Sequence, residues 1–294
     1  MAKKESYRCS ECGWLSAKWQ GQCRQCQAWG TLAEVGASAG LAKTAVRPPI
    51  QAAQPISQVS AESAQARPSG VGELDRVLGG GIVPGAVILL AGEPGVGKST
   101  LLLTVAANAA RQAKLTGAGS VLYITGEESA SQVRLRAARI DALADNLLLA
   151  AETELGAVLG QVEQANPALL IVDSVQTIAS ADVEGSAGGT SQVRAVAAAI
   201  IALAKERNIP VLLVGHVTKD GGIAGPRVLE HLVDVVCQFE GERHARLRLL
   251  RAVKNRYGPT DEVGCFELGE RGIVELADPS GLFLSQARSE VPGT

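Results

Sequence analysis

The sequence predicts an α/β fold: a mostly parallel sheet with helices on both faces, an antiparallel strand extension, and a small four-cysteine ribbon in front. Three observations carry this. Apolar runs of strand length alternate with helix-length segments from about residue 69 onward, the pattern of a parallel sheet buried on both sides. After about residue 243 the helical segments stop and short alternating strands follow. Four of the six cysteines fall in the first 35 residues as two C-x-x-C pairs.

The elements follow in order. Residues 1–35 hold Cys9, Cys12, Cys23 and Cys26 and all three tryptophans. Residues 36–67 are Ala, Gln, Ser and Pro with almost no large apolar side chains, too little to offset ordering entropy, and read as a flexible linker. Residues 68–294 then form the main domain. Its predicted strands are 87–91, 121–125, 147–151, 169–173, 211–217 and 233–240, with helical segments such as 100–113, 130–140 and 193–207 between them. The stretches ARLRLLRAVKN and EVGCFELGERGIVEL read as the antiparallel extension, turning at Glu270-Arg271-Gly272.

Bulk composition narrows the function classes. With 28 Lys and Arg against 30 Asp and Glu the formal net charge is −2, so contact with nucleic acid must come from local basic clusters. Apolar runs are short and the opening MAKKESYRCSEC has no signal-peptide core, so a cytoplasmic location with no membrane partner is expected.

The first predicted strand runs into Gly92-Glu93-Pro94-Gly95-Val96-Gly97-Lys98-Ser99-Thr100, which fits G-x-x-x-x-G-K-[ST]. A glycine-rich turn entering a helix presents backbone N–H groups to an anion. Lys98 then reaches the outer phosphates of ATP and Ser99 ligates Mg²⁺. Asp173, closing ALLIVD, has the form of the carboxylate that orients Mg²⁺ through water. Glu127 and Glu128 follow a neighbouring strand into the same crevice. Glu127 is the first candidate to polarise the attacking water, and Glu128 the second.

Two C-x-x-C knuckles ten residues apart offer four thiolates for tetrahedral Zn²⁺, with a rubredoxin-like iron site as the weaker alternative. Two glycine-rich loops, 179–190 and 216–227, follow strands at the nucleotide edge. The second carries Lys219 and Arg227, which would hold nucleic-acid phosphates. His216 stands either as a γ-phosphate sensor or as a satisfied strand-end histidine. In RHARLRLLRAVKNRYG, alternation puts Arg246 and Arg248 on one strand face and Leu247 and Leu249 on the other. Lys254 and Arg256 flank the KNRYG turn, placed to meet a phosphate across a subunit interface.

Together, the ribbon with its W-G-T-L-x-E ending, LDRVLGGGIVPG, GEES, HVTKDGGIAGPRVLEHLVD and KNRYG resemble the bacterial RadA (Sms) family of DNA repair proteins. The resemblance implies a RecA-type P-loop ATPase core, a hexameric ring, single-stranded and branched DNA as ligands, branch migration driven by ATP, and RecA as partner. It further implies that loops 179–190 and 218–227 bind DNA and that Lys254 and Arg256 act in trans. Arg24 stands where the family usually has proline after the third cysteine. The family also continues into a Lon-protease-like carboxyl-terminal domain, for which no counterpart is expected within these 294 residues. A second class of function, a RecA-fold switch or zinc-ribbon adaptor acting on a protein partner, predicts turnover indifferent to DNA.

Overall fold

The computed structural model describes residues 7–34, 53–59, 61, 64–216, 228–242 and 245–276. The chain divides into two compact units, Met1–Val59 and Ser60–Thr294.

In the first unit, strands β1 (Tyr7–Cys9), β2 (Leu15–Ser16) and β3 (Leu32–Glu34) form a sheet in the order β2-β1-β3. The two knuckles repeat one hydrogen-bond pattern. Gly13 N donates to Cys9 O and Gln27 N to Cys23 O, while Cys9 N and Cys23 N donate to Trp14 O and Ala28 O. Gly13 and Gln27, each just after a second cysteine, have φ of +73° and +57°. The ribbon's apolar core is only Cys9, Cys23 and Leu32, with Tyr7 and Trp14 against them. So small a core supplies little folding energy, which leaves most of it to cross-linking at the cysteines.

In the second unit nine strands form one sheet. Strands β4 (Val87–Gly92), β5 (Val121–Thr125), β6 (Leu147–Ala151), β7 (Leu169–Asp173), β8 (Val211–His216) and β9 (Val235–Glu240) are parallel, in the spatial order β9-β4-β8-β7-β5-β6. Antiparallel β10 (Leu247–Asn255), β11 (Val263–Gly269) and β12 (Gly272–Glu275) extend it beyond β9. All six predicted parallel strands and the antiparallel extension are present. The β11–β12 hairpin turns at Glu270 and Arg271, with Gly269 paired to Gly272.

Helices α2 (Lys98–Thr116), α3 (Ala130–Arg139) and α5 (Thr190–Arg207) match the predicted segments, and α1 (Gly72–Leu78) and α4 (Leu155–Ala165) add to them. Period-two alternation divides the strand side chains between two cores. Tyr123 and Ile171 pack on one face with α1, α2 and α3, and Leu122, Leu170 and Val172 on the other with α4 and α5. Each such fully buried side chain contributes roughly 1.5–3 kcal/mol of transfer free energy. No described helix is long and apolar enough to cross a membrane.

Candidate functional site

The carboxyl ends of β4, β5, β7 and β8 converge on the loop between β4 and α2. Gly95 and Gly97 take φ of +81° and +107° there, and α2 begins at Lys98 with Gly97 as its N-cap. Lys98 is buried, and its Nζ donates to Gly92 O at 2.8 Å and Glu93 O at 2.9 Å. Burial pulls its ammonium down to about 8, while Asp173 and Glu127 act the other way.

Asp173 is also buried, and Tyr123 Oη donates to its Oδ2 at 2.7 Å. Its Oδ1 has no partner. Burial first, then Asp173, raises the Tyr123 phenol well above its ordinary range, so the phenol remains a donor that holds one carboxylate oxygen and leaves the other available.

Glu127 reaches the same point because Gly126 closes the gap. A Cβ on Gly126 would lie 2.1 Å from Thr177 Oγ1, in the turn that follows β7. Only glycine permits that approach. Ser174 Oγ then donates to Glu127 Oε1 at 2.5 Å, and His216 Nε2 lies 2.7 Å from the same oxygen. A carboxylate accepts only, so Nε2 carries the hydrogen. The His216 hydrogen bond, aided by Ser174 and opposed by burial, lowers the Glu127 carboxyl to about 2. Ligand atoms of Glu127, Asp173 and His216 all lie within 4.8 Å of one another. Glu128 turns elsewhere and pairs with Arg136 of α3.

Three buried polar atoms here lack partners: Asp173 Oδ1, Gln176 Oε1 and His216 Nδ1. Buried groups left open in this way are exceptional and point to a missing water, ion or ligand. An acidic oxygen free beside the loop fits a magnesium-bound nucleotide, with Ser99 and Asp173 as the residues that would hold the metal.

The other predicted residues lie elsewhere. Lys254 is paired across the sheet with Val236, and Val235 pairs in turn with Ile88, so KNRYG sits at the amino ends of the parallel strands. Gly92 lies at the opposite end of β4, about 13 Å beyond Ile88 at 3.3 Å per residue. Lys254 Nζ donates to Glu230 O and Val233 O at 2.6 and 2.8 Å. Arg256 pairs with Asp234 Oδ1 at 2.9 Å, and Lys205 pairs with Asp234 Oδ2 at 2.5 Å. Lys219 and Arg227 fall outside the described residues, as does loop 218–227. Loop 179–190 is organised around Gln192, whose buried amide bonds Ser180, Val183 and Gly185, a residue that sequence reasoning passed over. Nothing in the local pattern marks it.

The predicted alternation holds along β10, and the face that carries Arg248 is the buried one. Arg248 packs with Leu250 and Ala252, while Leu247 and Leu249 are half-buried and Arg246, just before the strand, is exposed. Carbonyl oxygens satisfy Arg248, among them Val96 O in the phosphate loop.

In the ribbon, Cys9 Sγ and Cys26 Sγ are 3.6 Å apart, as are Cys12 Sγ and Cys23 Sγ, and all four sulfurs lie within 4.8 Å. Tetrahedral Zn²⁺ with bonds of about 2.3 Å needs sulfurs roughly 3.8 Å apart. The donor set fits.

This sheet order and phosphate loop define a P-loop ATPase. Residues 52–222, more than half of the chain, match the AAA domain family, and residues 7–34 match the rubredoxin metal binding domain. The chain belongs to the AAA domain family, whose P-loop implies ATP with Mg²⁺, and the four-cysteine ribbon implies Zn²⁺. Its resemblance to RadA is borne out along its whole length. DNA repair protein RadA of Mycobacterium tuberculosis (strain ATCC 25618 / H37Rv) is 53% identical over 295 residues, covering 99% of this chain and 60% of that protein. DNA repair protein RadA of Listeria monocytogenes serovar 1/2a is 46% identical over 97% of the chain and 62% of its own length. That of Pseudomonas aeruginosa is 44% identical over 100% and 64%. The chain thus spans about three fifths of the relatives it matches.

Proposed function

We propose that this chain is a DNA-stimulated ATPase motor of recombinational DNA repair. It hydrolyses ATP at the β4–α2 loop, binds single-stranded and branched DNA, and drives branch migration as a hexameric cytoplasmic ring with RecA as partner. The observation that carries the ATPase reading is the convergence of Lys98, Asp173, Glu127 and His216 from four parallel strands onto one phosphate loop. The DNA reading rests on the 53% identity to a DNA repair protein RadA and on the sequence motifs that resemble that family.

In this reading Lys98 leaves the Gly92 and Glu93 carbonyls to meet the outer phosphates. Ser99 and Asp173 would hold Mg²⁺, which would supply neutralisation of the charge that develops on the phosphoryl group. Glu127 stays ionised at neutral pH, and with its Oε1 held by Ser174 and His216 it orients water through its other oxygen. With a carboxyl lowered to about 2 it is a weak base, so it positions the nucleophile more than it removes its proton. His216 senses the γ-phosphate. The residues from 68 onward make the motor, the ribbon of residues 1–35 docks DNA or protein, and Lys219 and Arg227 contact the DNA strand.

The position of KNRYG at the far end of β4 from its own phosphate loop supports the reading that Lys254 and Arg256 act on a neighbouring subunit's nucleotide in an oligomer. The partners they already have within the subunit, two carbonyls for Lys254 and Asp234 for Arg256, favour a second reading, a switch or adaptor without translocation. Steady-state ATP hydrolysis with and without single-stranded DNA, at two salt concentrations, separates the two. The motor predicts DNA stimulation that weakens with salt and is lost in Lys254→Ala. Turnover indifferent to DNA in the wild type would establish the switch.

A further inference from the structure

Arg248 is the buried cation that the ATPase reading leaves without a task. It is 4% exposed. Its Nε donates to Val96 O at 3.0 Å, and Nη1 donates to Glu242 O, Ala245 O and Leu247 O at 3.2, 2.6 and 2.9 Å. Among the described residues no carboxylate pairs with it. Keeping a guanidinium in such a place is costly, and burial lowers its pKa. A structural anchor for β10 alone needs no charge, because Leu250 and Ala252 already pack on that face.

The geometry of one peptide explains the cation. In a trans peptide the C=O of one residue and the N–H of the next point in opposite directions. The Val96–Gly97 peptide is trans, since among the described residues Asp173–Ser174 is the cis bond. Arg248 holds the Val96 carbonyl on its own side, so the Gly97 N–H is aimed away from Arg248. That N–H belongs to the loop whose amides bind phosphate. Lys98 holds the Gly92 and Glu93 carbonyls of the same loop but leaves them for phosphate in the ATPase reading, so Arg248 is the cation that stays on a loop carbonyl. The antiparallel extension braces the peptide from a second direction. A Cβ on Gly97 would meet Ile273 Cδ1 at 3.0 Å and Leu268 Cδ1 at 3.5 Å.

We infer that Arg248 is a positioning residue of the phosphate loop: by holding the Val96 carbonyl it sets the direction of the Gly97 N–H, and through it the loop's affinity for nucleotide phosphates. The antiparallel extension is thereby a working part of the nucleotide site. This inference rests on the ATP-binding reading.

The test compares Arg248→Met with Leu250→Ala, which lies on the same strand face but touches no loop carbonyl. Binding of ADP and of a non-hydrolysable ATP analogue is measured by calorimetry well below the unfolding midpoint, together with amide exchange of residues 93–99. Loss of one charged hydrogen bond predicts affinity about 10- to 100-fold weaker for Arg248→Met, with faster exchange in the loop. Leu250→Ala loses stability and keeps its affinity. Arg248→Lys, which keeps charge and stem, falls between and carries the same comparison if Arg248→Met does not fold. The inference is overturned if affinity falls in both variants only in proportion to lost stability, or if loop exchange in Arg248→Met matches wild type. A wild type that binds no nucleotide would sink the ATP reading and this inference with it, whereas a binding wild type with an equally tight Arg248→Met sinks only the inference.

Discussion

The two edges of the parallel sheet handle their charges in opposite ways. At the carboxyl edge Asp173 keeps one buried oxygen open, and Gln176 and His216 each keep one buried atom open. At the amino edge Asp234 is equally buried, yet its carboxylate takes Lys205, Arg256 and the Val87 N–H. Burial works to raise the Asp234 carboxyl, and those three donors outweigh it and hold it below its ordinary value. An edge with open hydrogen-bonding capacity is built for something to arrive; a saturated edge is built to hold the fold. The same residue type therefore serves binding at one end of the sheet and stability at the other.

Asp173→Asn tests the open edge and carries the largest expected effect. It keeps shape and an oxygen for Tyr123, while removing the charge that would hold Mg²⁺. Turnover should fall by about 100-fold or more, measured by phosphate release. Thermal stability should hold or rise, because a buried, half-unpaired carboxylate is replaced by a neutral group. A stability loss matching the activity loss would erase the contrast between the edges.

Asp234→Ala tests the saturated edge. It strands the Val87 N–H and leaves Lys205 and Arg256 without their acceptor. Both cations are about half exposed, so water compensates them in part. The expected loss is about 1.5–3 kcal/mol, the range for hydrogen bonds to a charged group, read from the urea midpoint. Nucleotide affinity should not change, because the strand length separates Asp234 from the phosphate loop. Weakened nucleotide binding at matched folding would show the edges to be coupled.

Much of this contrast was legible before any coordinates, and the parts that were not share a cause. The six parallel strands, the phosphate loop and Asp173 follow from local patterns: apolar run, turn chemistry, helix. The four sulfurs of the ribbon follow from spacing alone. Which face of β10 is buried was not legible because R-L-R-L-L alternates equally well with either face inward, and Arg248 finds its acceptor at Val96, 152 positions away in sequence. Sequence ranked Glu127 ahead of Glu128 but could not exclude the second, because Gly126 and Thr177 decide which one enters the site, and that approach depends on β5 lying beside β7. Asp234, placed in the predicted strand 233–240, has no partner legible in sequence until β10 returns to bring Arg256 against it. Pattern reveals what a segment is; partners brought from afar decide what its polar groups face.

The smallest expected effect concerns pH and sharpens the comparison within the carboxyl edge itself. Glu127 differs from Asp173 there because its carboxylate accepts from both Ser174 and His216, and its carboxyl is lowered from 4.5 to about 2. A carboxyl lowered on folding contributes stability that is fully present above its unfolded value and is lost as pH falls through its folded value. The window therefore runs from about pH 4.5 down to about pH 2. In Glu127→Gln the unfolding midpoint should fall less steeply across that window than in wild type, while the two curves run parallel above pH 5. Its side chain is 38% exposed, so solvent screening keeps the difference small. His216→Ala removes the main cause of the shift and should give an intermediate slope with the same sign. Identical slopes for wild type and Glu127→Gln would mean that Ser174 and His216 hold Glu127 no more firmly than water does. The carboxyl edge would then be open throughout, with Glu127 as free as Asp173 to turn toward an incoming ligand.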